Sequence, residues 1–278
     1  MYADLHLHST ASDGLLSPSE LVGKAKNLDF KAIALTDHDT VSGLAEAVES
    51  ALTHGLEVIK GIELSAIDKR VKREVEVHIL GYYIDPENQS LTEVLKQIRE
   101  IRQNRAVRMV EKLNNSGVSI DFERVKVLAE GEAVGRPHIA RVMVEAGYIN
   151  DVKDAFSKEY IGRDGRAYVE RYKISPQEAI KLLIDAGGVA VLAHPGYLSD
   201  GSALGEDEIR EYKEYGLTGL EVYYSKHSKK QLQLYKKIAE QLGLLITGGS
   251  DCHGGVDALI GRIKLPYTYV EALKNARR

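Results

Sequence analysis

Short apolar runs separated by amphipathic stretches recur along this chain, and that alternation is what most limits its fold. The runs Ala3–Leu7, Ala32–Thr36, Glu57–Ile62, Val75–Tyr83, Val189–Ala193, Gly219–Tyr223 and Leu244–Thr247 have the length and apolar character of buried strands. Helix-period patterns with clear start signals lie between most of them. Ser17-Pro18-Ser19-Glu20 and Ser175-Pro176-Gln177-Glu178 each set a capping Ser before a first-turn Pro, with Glu three residues on. In such a box the hydroxyl accepts from the third helical amide and the Glu reaches back to the cap amide. Strand–helix alternation predicts a parallel sheet of the α/β class. Seven such strands favour closure into a β/α barrel of the TIM type over an open sheet.

The alternation stops at about residue 87 and resumes near 172. Ser90-Leu91-Thr92-Glu93 reads as the cap of a long helix running to about Leu113. Further helices are expected at Phe122–Ala129, Pro137–Ala146 and Asp151–Glu159. The organisation expected is therefore a barrel domain, residues 1–86 and 172–278, carrying a helical insertion, 87–171, as a lid or substrate subdomain. A chain of 278 residues suits one large domain with an insert.

The net charge of −4 gives no global attraction to nucleic acid or to a membrane surface. No window approaches the roughly 18 apolar residues of a membrane span. The single cysteine, Cys252, excludes an internal disulfide and fits a reducing compartment. A cytoplasmic protein without a cleaved leader or membrane association is expected, and nothing in the pattern calls for an obligate protein partner.

Chemistry gathers at the carboxyl ends of barrel strands, where the loops converge, and most histidines fall there. Asp4, His6 and His8 alternate along the first strand and so share a face, with Leu5 and Leu7 opposite and Asp13 on the next loop. Thr36-Asp37-His38-Asp39 ends the second strand and Gly61-Ile62-Glu63 the third. His78 lies within the fourth, Ala193-His194-Pro195 ends the fifth, and Ser250-Asp251-Cys252-His253 ends the seventh. Six imidazoles (His6, His8, His38, His78, His194, His253) and three carboxylates (Asp13, Glu63, Asp251) exceed the needs of one four-coordinate ion. They suit two or three ions sharing a carboxylate, and the mixed donor set suits Mn, Fe or Zn. Asp4 and Asp37 read as partners that orient the ligand imidazoles, and Cys252 as a small inward-facing apolar residue.

Other residues suggest substrate contacts. Gly135-Arg136-Pro137-His138 opens a helix, and a helix N-terminus with Arg136 and His138 makes an anion site. Arg102 and Arg105 fall on the same face of the long helix as Leu91, Leu95, Ile98, Met109 and Leu113, so they snorkel, pair with acids or face a polar cleft. Tyr223-Tyr224-Ser225-Lys226-His227 ends the sixth strand at the barrel mouth, and Arg262 follows the last ligand loop.

The set Asp-x-His-x-His, Thr-Asp-His, Gly-Ile-Glu, a strand His, Ala-His-Pro and Ser-Asp-x-His, in this order over residues 1–86 and 172–265, resembles the PHP (polymerase and histidinol phosphatase) family of metal-dependent phosphoesterases. The resemblance implies a distorted seven-stranded barrel with three divalent ions, manganese first and iron or zinc as alternatives. It implies one ion on His6, His8, Glu63 and Asp251, a second on Glu63, His78 and His194, and a third on Asp13, His38 and His253. Many members have His where this chain has Asp13. Asp there, together with Gly135-Arg136-Pro137-His138-Ile139-Ala140, is similar to the branch of 3′,5′-nucleotide bisphosphate phosphatases and 5′-to-3′ exoribonucleases. The expected reaction is in-line attack on phosphorus by a metal-bridging hydroxide, with Asp13, Glu63 and His38 as catalytic residues. Asp13 is one candidate for protonating the leaving oxygen. Arg102, Arg105, Arg136, His138, His227 and Arg262 are the expected substrate contacts. No Trp and only 3 Phe favour a small nucleotide or short oligonucleotide over a long RNA. A histidinol-phosphate phosphatase and a non-catalytic accessory module are the alternatives.

Overall fold

The computed structural model describes residues 1–70, 73–129, 134–170, 173–255 and 260–277. Its elements run β1 (Tyr2–Leu7), α1 (Pro18–Asn27), β2 (Phe30–Leu35), α2 (Leu44–His54), β3 (Glu57–Arg70), β4 (Arg73–Tyr82), α3 (Gln89–Asn115), α4 (Phe122–Leu128) and α5 (Arg136–Glu145). A 3-10 turn (Val152–Phe156) leads to α6 (Pro176–Asp185), β5 (Val189–Leu192), α7 (Glu206–Glu214), β6 (Gly219–Tyr224), α8 (Lys229–Leu242), β7 (Leu245–Gly249), β8 (Leu265–Pro266) and α9 (Tyr267–Asn275). The chain divides into two compact units, residues 1–93 with 173–278, and residues 94–172.

The first unit holds one sheet in the order β7-β6-β5-β4-β3-β2-β1-β8. The strand count therefore corrects the expected seven to eight among the described residues. The extra strand is the two-residue β8, antiparallel to β1, too short to leave an apolar pattern. The sheet nearly closes into a barrel where β1 meets the end of β7. His8 N donates to Cys252 O at 3.0 Å and Asp251 N donates to His6 O at 2.9 Å. Gly249 makes that seam possible, because a Cβ there would lie 2.3 Å from His6 Cβ.

The sheet is not wholly parallel. β4 pairs antiparallel with both β3 and β5, while β1–β3 and β5–β7 run parallel. A parallel crossover needs a dozen or more residues, usually a helix. β3 and β4 follow one another too closely for that, so they pair as neighbours in a long antiparallel ladder from Gly61↔Tyr82 to Arg70↔Arg73.

Both predicted capping boxes form, Ser17 with Glu20 and Ser175 with Glu178. The long helix starts earlier than its predicted cap: Asn88 Oδ1 accepts from Leu91 N at 3.0 Å, and Ser90 lies in the first turn. The helix expected over Asp151–Glu159 is only the 3-10 turn, ended by an i→i+3 bond from Ser157 N to Asp154 O.

Each unit has its own core. In the first, Leu5, Ala34, Ile59, Leu80, Tyr82 and Val191 pack with Leu265, Val270 and Leu273. In the second, Met109, Leu113, Val125, Ile139, Met143 and Ile161 form the centre.

Candidate metal centre

The strand order brings the predicted ligands of the first unit to one place. β1 delivers His6 and His8, both fully buried beside the equally buried Leu5 and Leu7. His38 follows β2 and is held level with mid-β3, where Asp39 N donates to Glu63 O and Glu63 N to Asp37 O. This places Glu63 at the barrel mouth although β3 continues seven residues further, to Arg70. The antiparallel β4 returns His78 opposite Ser65, two residues from Glu63. His194 follows β5, and Asp251 and His253 follow β7.

Glu63 is the hub. Its Oε2 lies 3.2 Å from His6 Nε2, 3.2 Å from His8 Nε2 and 3.1 Å from His38 Nδ1. Its Oε1 lies 2.9 Å from His78 Nδ1 and 3.1 Å from His194 Nε2. Asp251 Oδ1 lies 3.2 Å from His8 Nε2 and 3.5 Å from His6 Nε2. Asp13, on the more open side, has Oδ1 3.3 Å from His253 Nε2 and Oδ2 4.0 Å from His38 Nε2. Three sets of donor atoms converge within 4.8 Å of one another: His6, His8, Glu63 and Asp251; His8, Asp13, His38 and His253; and His38, Glu63 and His78.

The chemistry of this donor set fits divalent ions. His6 Nε2, both nitrogens of His8, His38 Nδ1, His78 Nδ1 and Glu63 Oε2 are buried without a hydrogen-bond partner. So many orphaned polar atoms in one place would be costly unless a cation completes them. Burial alone would push Glu63 and Asp251 up, but the imidazoles around them, His38 and His6 foremost, hold both carboxyls well below the usual range. Burial pushes His6, His8 and His78 down, yet the carboxylates win. Glu63 leads for His6, Asp251 and Glu63 lift His8 to about 10, and Glu63 and Glu76 lift His78 to about 9. An imidazole dragged up in this way marks a pocket short of positive charge, which divalent ions supply.

Several side chains hold the ligands. His78 Nε2 faces Glu76 Oε1 at 3.4 Å, and Glu76 pairs with Lys173 at 2.5 Å. Tyr224 Oη donates to Asp251 Oδ2 at 2.8 Å, and Lys226 Nζ stands 4.0 Å from the same oxygen. Glu221, which the sequence pattern did not single out, is fully buried with Oε1 3.0 Å from His6 Nδ1. A lone acid within the apolar run Gly219–Tyr224 is the signal that could have found it.

Asp4 and Asp37 have different partners from those expected. Asp4 Oδ1 accepts from the Ser250 amide at 2.8 Å and from the His6 amide at 3.4 Å, so it fixes main chain, and Glu221 meets the His6 ring. Burial pushes the Asp4 carboxyl up to about 7 against the pull of Ser250. Asp37 accepts from Ser9 N, Ser9 Oγ and Ser12 Oγ and thereby shapes the loop that carries Asp13. Cys252 is buried, and its backbone bridges to Leu7.

The expected substrate contacts fare unevenly. His227 Nε2 accepts from Gly196 N at 3.2 Å and Nδ1 donates to Val222 O at 3.0 Å. Both ring nitrogens are thus spent on main chain, and His227 braces the loop after His194 rather than offering a donor to substrate. Arg262 is exposed. In the second unit, His138 is buried and its Nδ1 accepts from Gly135 N at 3.1 Å, capping α5. Arg136 donates to Ile161 O at 3.4 Å and lies 5.3 Å from the Phe156 ring centroid. Arg105 donates to Val169 O at 2.7 Å beside the Tyr168 ring, and Arg102 is half-buried.

Comparison with known proteins agrees with this geometry. The PHP domain pattern matches residues 4–215. The 3′,5′-nucleoside bisphosphate phosphatase of Chromobacterium violaceum is 36% identical over 90% of this chain and 86% of its own. The 5′-3′ exoribonuclease of Haemophilus influenzae is 35% identical over 90% of this chain and 89% of its own. A Bifidobacterium adolescentis crystal structure described as a metal-dependent phosphoesterase superposes with a TM-score of 0.87 at 32% identity, covering 98% of this chain and 94% of its own. Fold, converging donors and relatives agree that the chain is a metal-dependent phosphoesterase, and it belongs to the PHP domain family.

Proposed function

We propose that this chain hydrolyses phosphate esters of nucleotides, as a 3′,5′-nucleotide bisphosphate phosphatase, a 5′-to-3′ exonuclease on short RNA, or both. The observation that carries the reading is Glu63, one buried carboxylate with five imidazole nitrogens around its two oxygens. The relatives named for activity on nucleoside bisphosphates and RNA support the substrate class.

Three divalent ions, manganese first among candidates, would be held by His6, His8, Glu63 and Asp251; by Glu63, His78 and His194; and by Asp13, His38 and His253. When bound, such ions make hydroxide available near neutral pH and neutralise the charge that develops on the phosphoryl oxygens. The chain's own residues do the rest. Glu63, whose Oε2 faces His6, His8 and His38 and whose Oε1 faces His78 and His194, would contribute to two of the proposed ion positions. Burial would raise the Asp13 carboxyl, but His38 and His253 hold it well below the usual range. Asp13, with Oδ1 beside His253 and Oδ2 beside His38, is placed as a ligand and hydrogen-bond acceptor. Lys226, whose ammonium lies 4.9 Å from the Tyr197 ring centroid, stands at the mouth beside Asp251, placed to meet a substrate phosphate. Arg102, Arg105, Arg136 and Arg262 remain proposed phosphate contacts. The insert between about residues 87 and 171 is proposed as the part that selects substrate.

The test is a parallel assay of phosphate release from adenosine 3′,5′-bisphosphate, histidinol phosphate and a short 5′-phosphorylated RNA, with Mn(II) present. Turnover of the bisphosphate or the RNA well above that of histidinol phosphate is expected. A preference for histidinol phosphate would replace this reading with the phosphatase alternative, and no turnover of any ester would point to an accessory module.

A further inference from the structure

We infer that Glu221 is the positioning residue of the metal centre, setting the tautomer of His6 and the backbone of His194 at once. The inference rests on the metal-centre reading above. Glu221 Oε1 lies 3.0 Å from His6 Nδ1, and Oε2 accepts from the His194 backbone N at 2.8 Å. A carboxylate oxygen accepts from N–H donors, so with the His194 amide donating to Oε2, Oε1 is the acceptor for an N–H on His6 Nδ1. His6 then carries a proton on Nδ1, and the nitrogen left for an ion is Nε2, the one aimed at Glu63 and Asp251. A hydrogen bond to one imidazole nitrogen that dictates which nitrogen binds metal is the usual way a neighbouring carboxylate tunes such a site.

The second oxygen does a different task. His194 has φ of 25°, a strained conformation for a non-glycine residue that persists only where the surroundings fix it. The amide bonded to Glu221 is one such anchor, alongside the turn closed by Tyr197 N to His194 O. His6 and His194 belong to different proposed ion positions, so one side chain couples two of them.

A register shift between Glu221 and Tyr223 makes this arrangement possible. Strict alternation would turn Glu221 and Tyr223 to one side. Instead Tyr223 packs on Tyr269 of α9, while Glu221 and Tyr224 both reach the ligands. Gln cannot replace Glu221, because its amide offers one acceptor and one donor where two acceptors are needed. Asp keeps the charge but is one methylene short.

The test combines the imidazole ¹⁵N spectrum of Zn(II)-loaded wild type with Mn(II) titration calorimetry of metal-stripped wild type, Glu221→Gln and Glu221→Asp. We expect the His6 proton on Nδ1 and zinc on Nε2. Glu221→Gln should bind Mn(II) about 10- to 100-fold more weakly at two positions, with Glu221→Asp between it and wild type. A His6 proton on Nε2 would overturn the inference, and the wild-type spectrum decides this even where a variant does not fold. So would a Glu221→Gln protein that melts lower without metal yet binds Mn(II) like wild type, because that is a structural role only. Weakening at one position alone would overturn the coupling. A wild-type protein that binds no Mn(II) would overturn the metal-centre reading itself.

Discussion

Glu63→Gln is the substitution with the most calculable consequence. Glu63 belongs to two of the three sets of converging donors and is missing from the third, His8, Asp13, His38 and His253. An ion that binds only the folded protein adds about 4 kcal/mol of stability at a free concentration 1,000 times its Kd. The unit that carries the centre has about 200 residues, and at about 2.1 cal/mol/K per residue its unfolding entropy is about 0.4 kcal/mol/K. Each ion then raises the melting temperature by about 10 °C, and three by about 30 °C. Gln has the shape of Glu without the charge or the second strong acceptor, so the variant should keep only the share of the third set, about 10 °C. The assay is calorimetric melting of wild type and variant, each stripped with EDTA and then saturated with Mn(II). A variant that keeps the full wild-type metal shift would refute the role of Glu63 as the hub.

The other expectations concern separate parts of the molecule. Lys226→Met should raise the KM for adenosine 3′,5′-bisphosphate about tenfold, the scale of one lost charge-assisted hydrogen bond; an unchanged KM would remove Lys226 from the substrate path. Ser175→Ala removes the α6 cap and should cost about 1 kcal/mol, or about 2 °C in melting temperature; no change in chemical denaturation would show the cap to be idle. His227 has its pKa lowered from 6.5, first by burial. Its neutral form favours the fold, so its contribution is complete above pH 6.5 and is lost as pH falls from there toward the lowered value. The stability of wild type should therefore fall more steeply than that of His227→Gln on acidification below pH 6.5, and equal slopes would contradict the reading.

Much of the barrel was legible because its signals are local. The Ser17 and Ser175 boxes rest on four consecutive residues each, and both form. The alternation of Asp4, His6 and His8 needs only the period of a strand. Strand direction is not local in this sense. An apolar run has the same pattern parallel or antiparallel, and the stretch from Ile62 to Val75, polar enough to read as a loop, is mostly β3 and β4 themselves. The candidate ligands were legible because His and acids at strand ends stand out one by one. Glu221 did not, because the register shift that turns it inward breaks the alternation by which facing is read. His138 and His227 were identified by residue type, whereas their roles follow from distant main-chain atoms, Gly135 N for one and Gly196 N and Val222 O for the other.

The buried cluster around Glu63 is proposed to make this chain a metal-dependent phosphoesterase of nucleotides. The most direct test is phosphate release from adenosine 3′,5′-bisphosphate by metal-stripped protein before and after stepwise addition of Mn(II), with bound metal counted at each step. No release is expected from the stripped protein, and activity should rise to a maximum at three ions per chain. Full turnover by the stripped protein, or none at saturation with any of Mn(II), Fe(II) or Zn(II), would contradict the proposal.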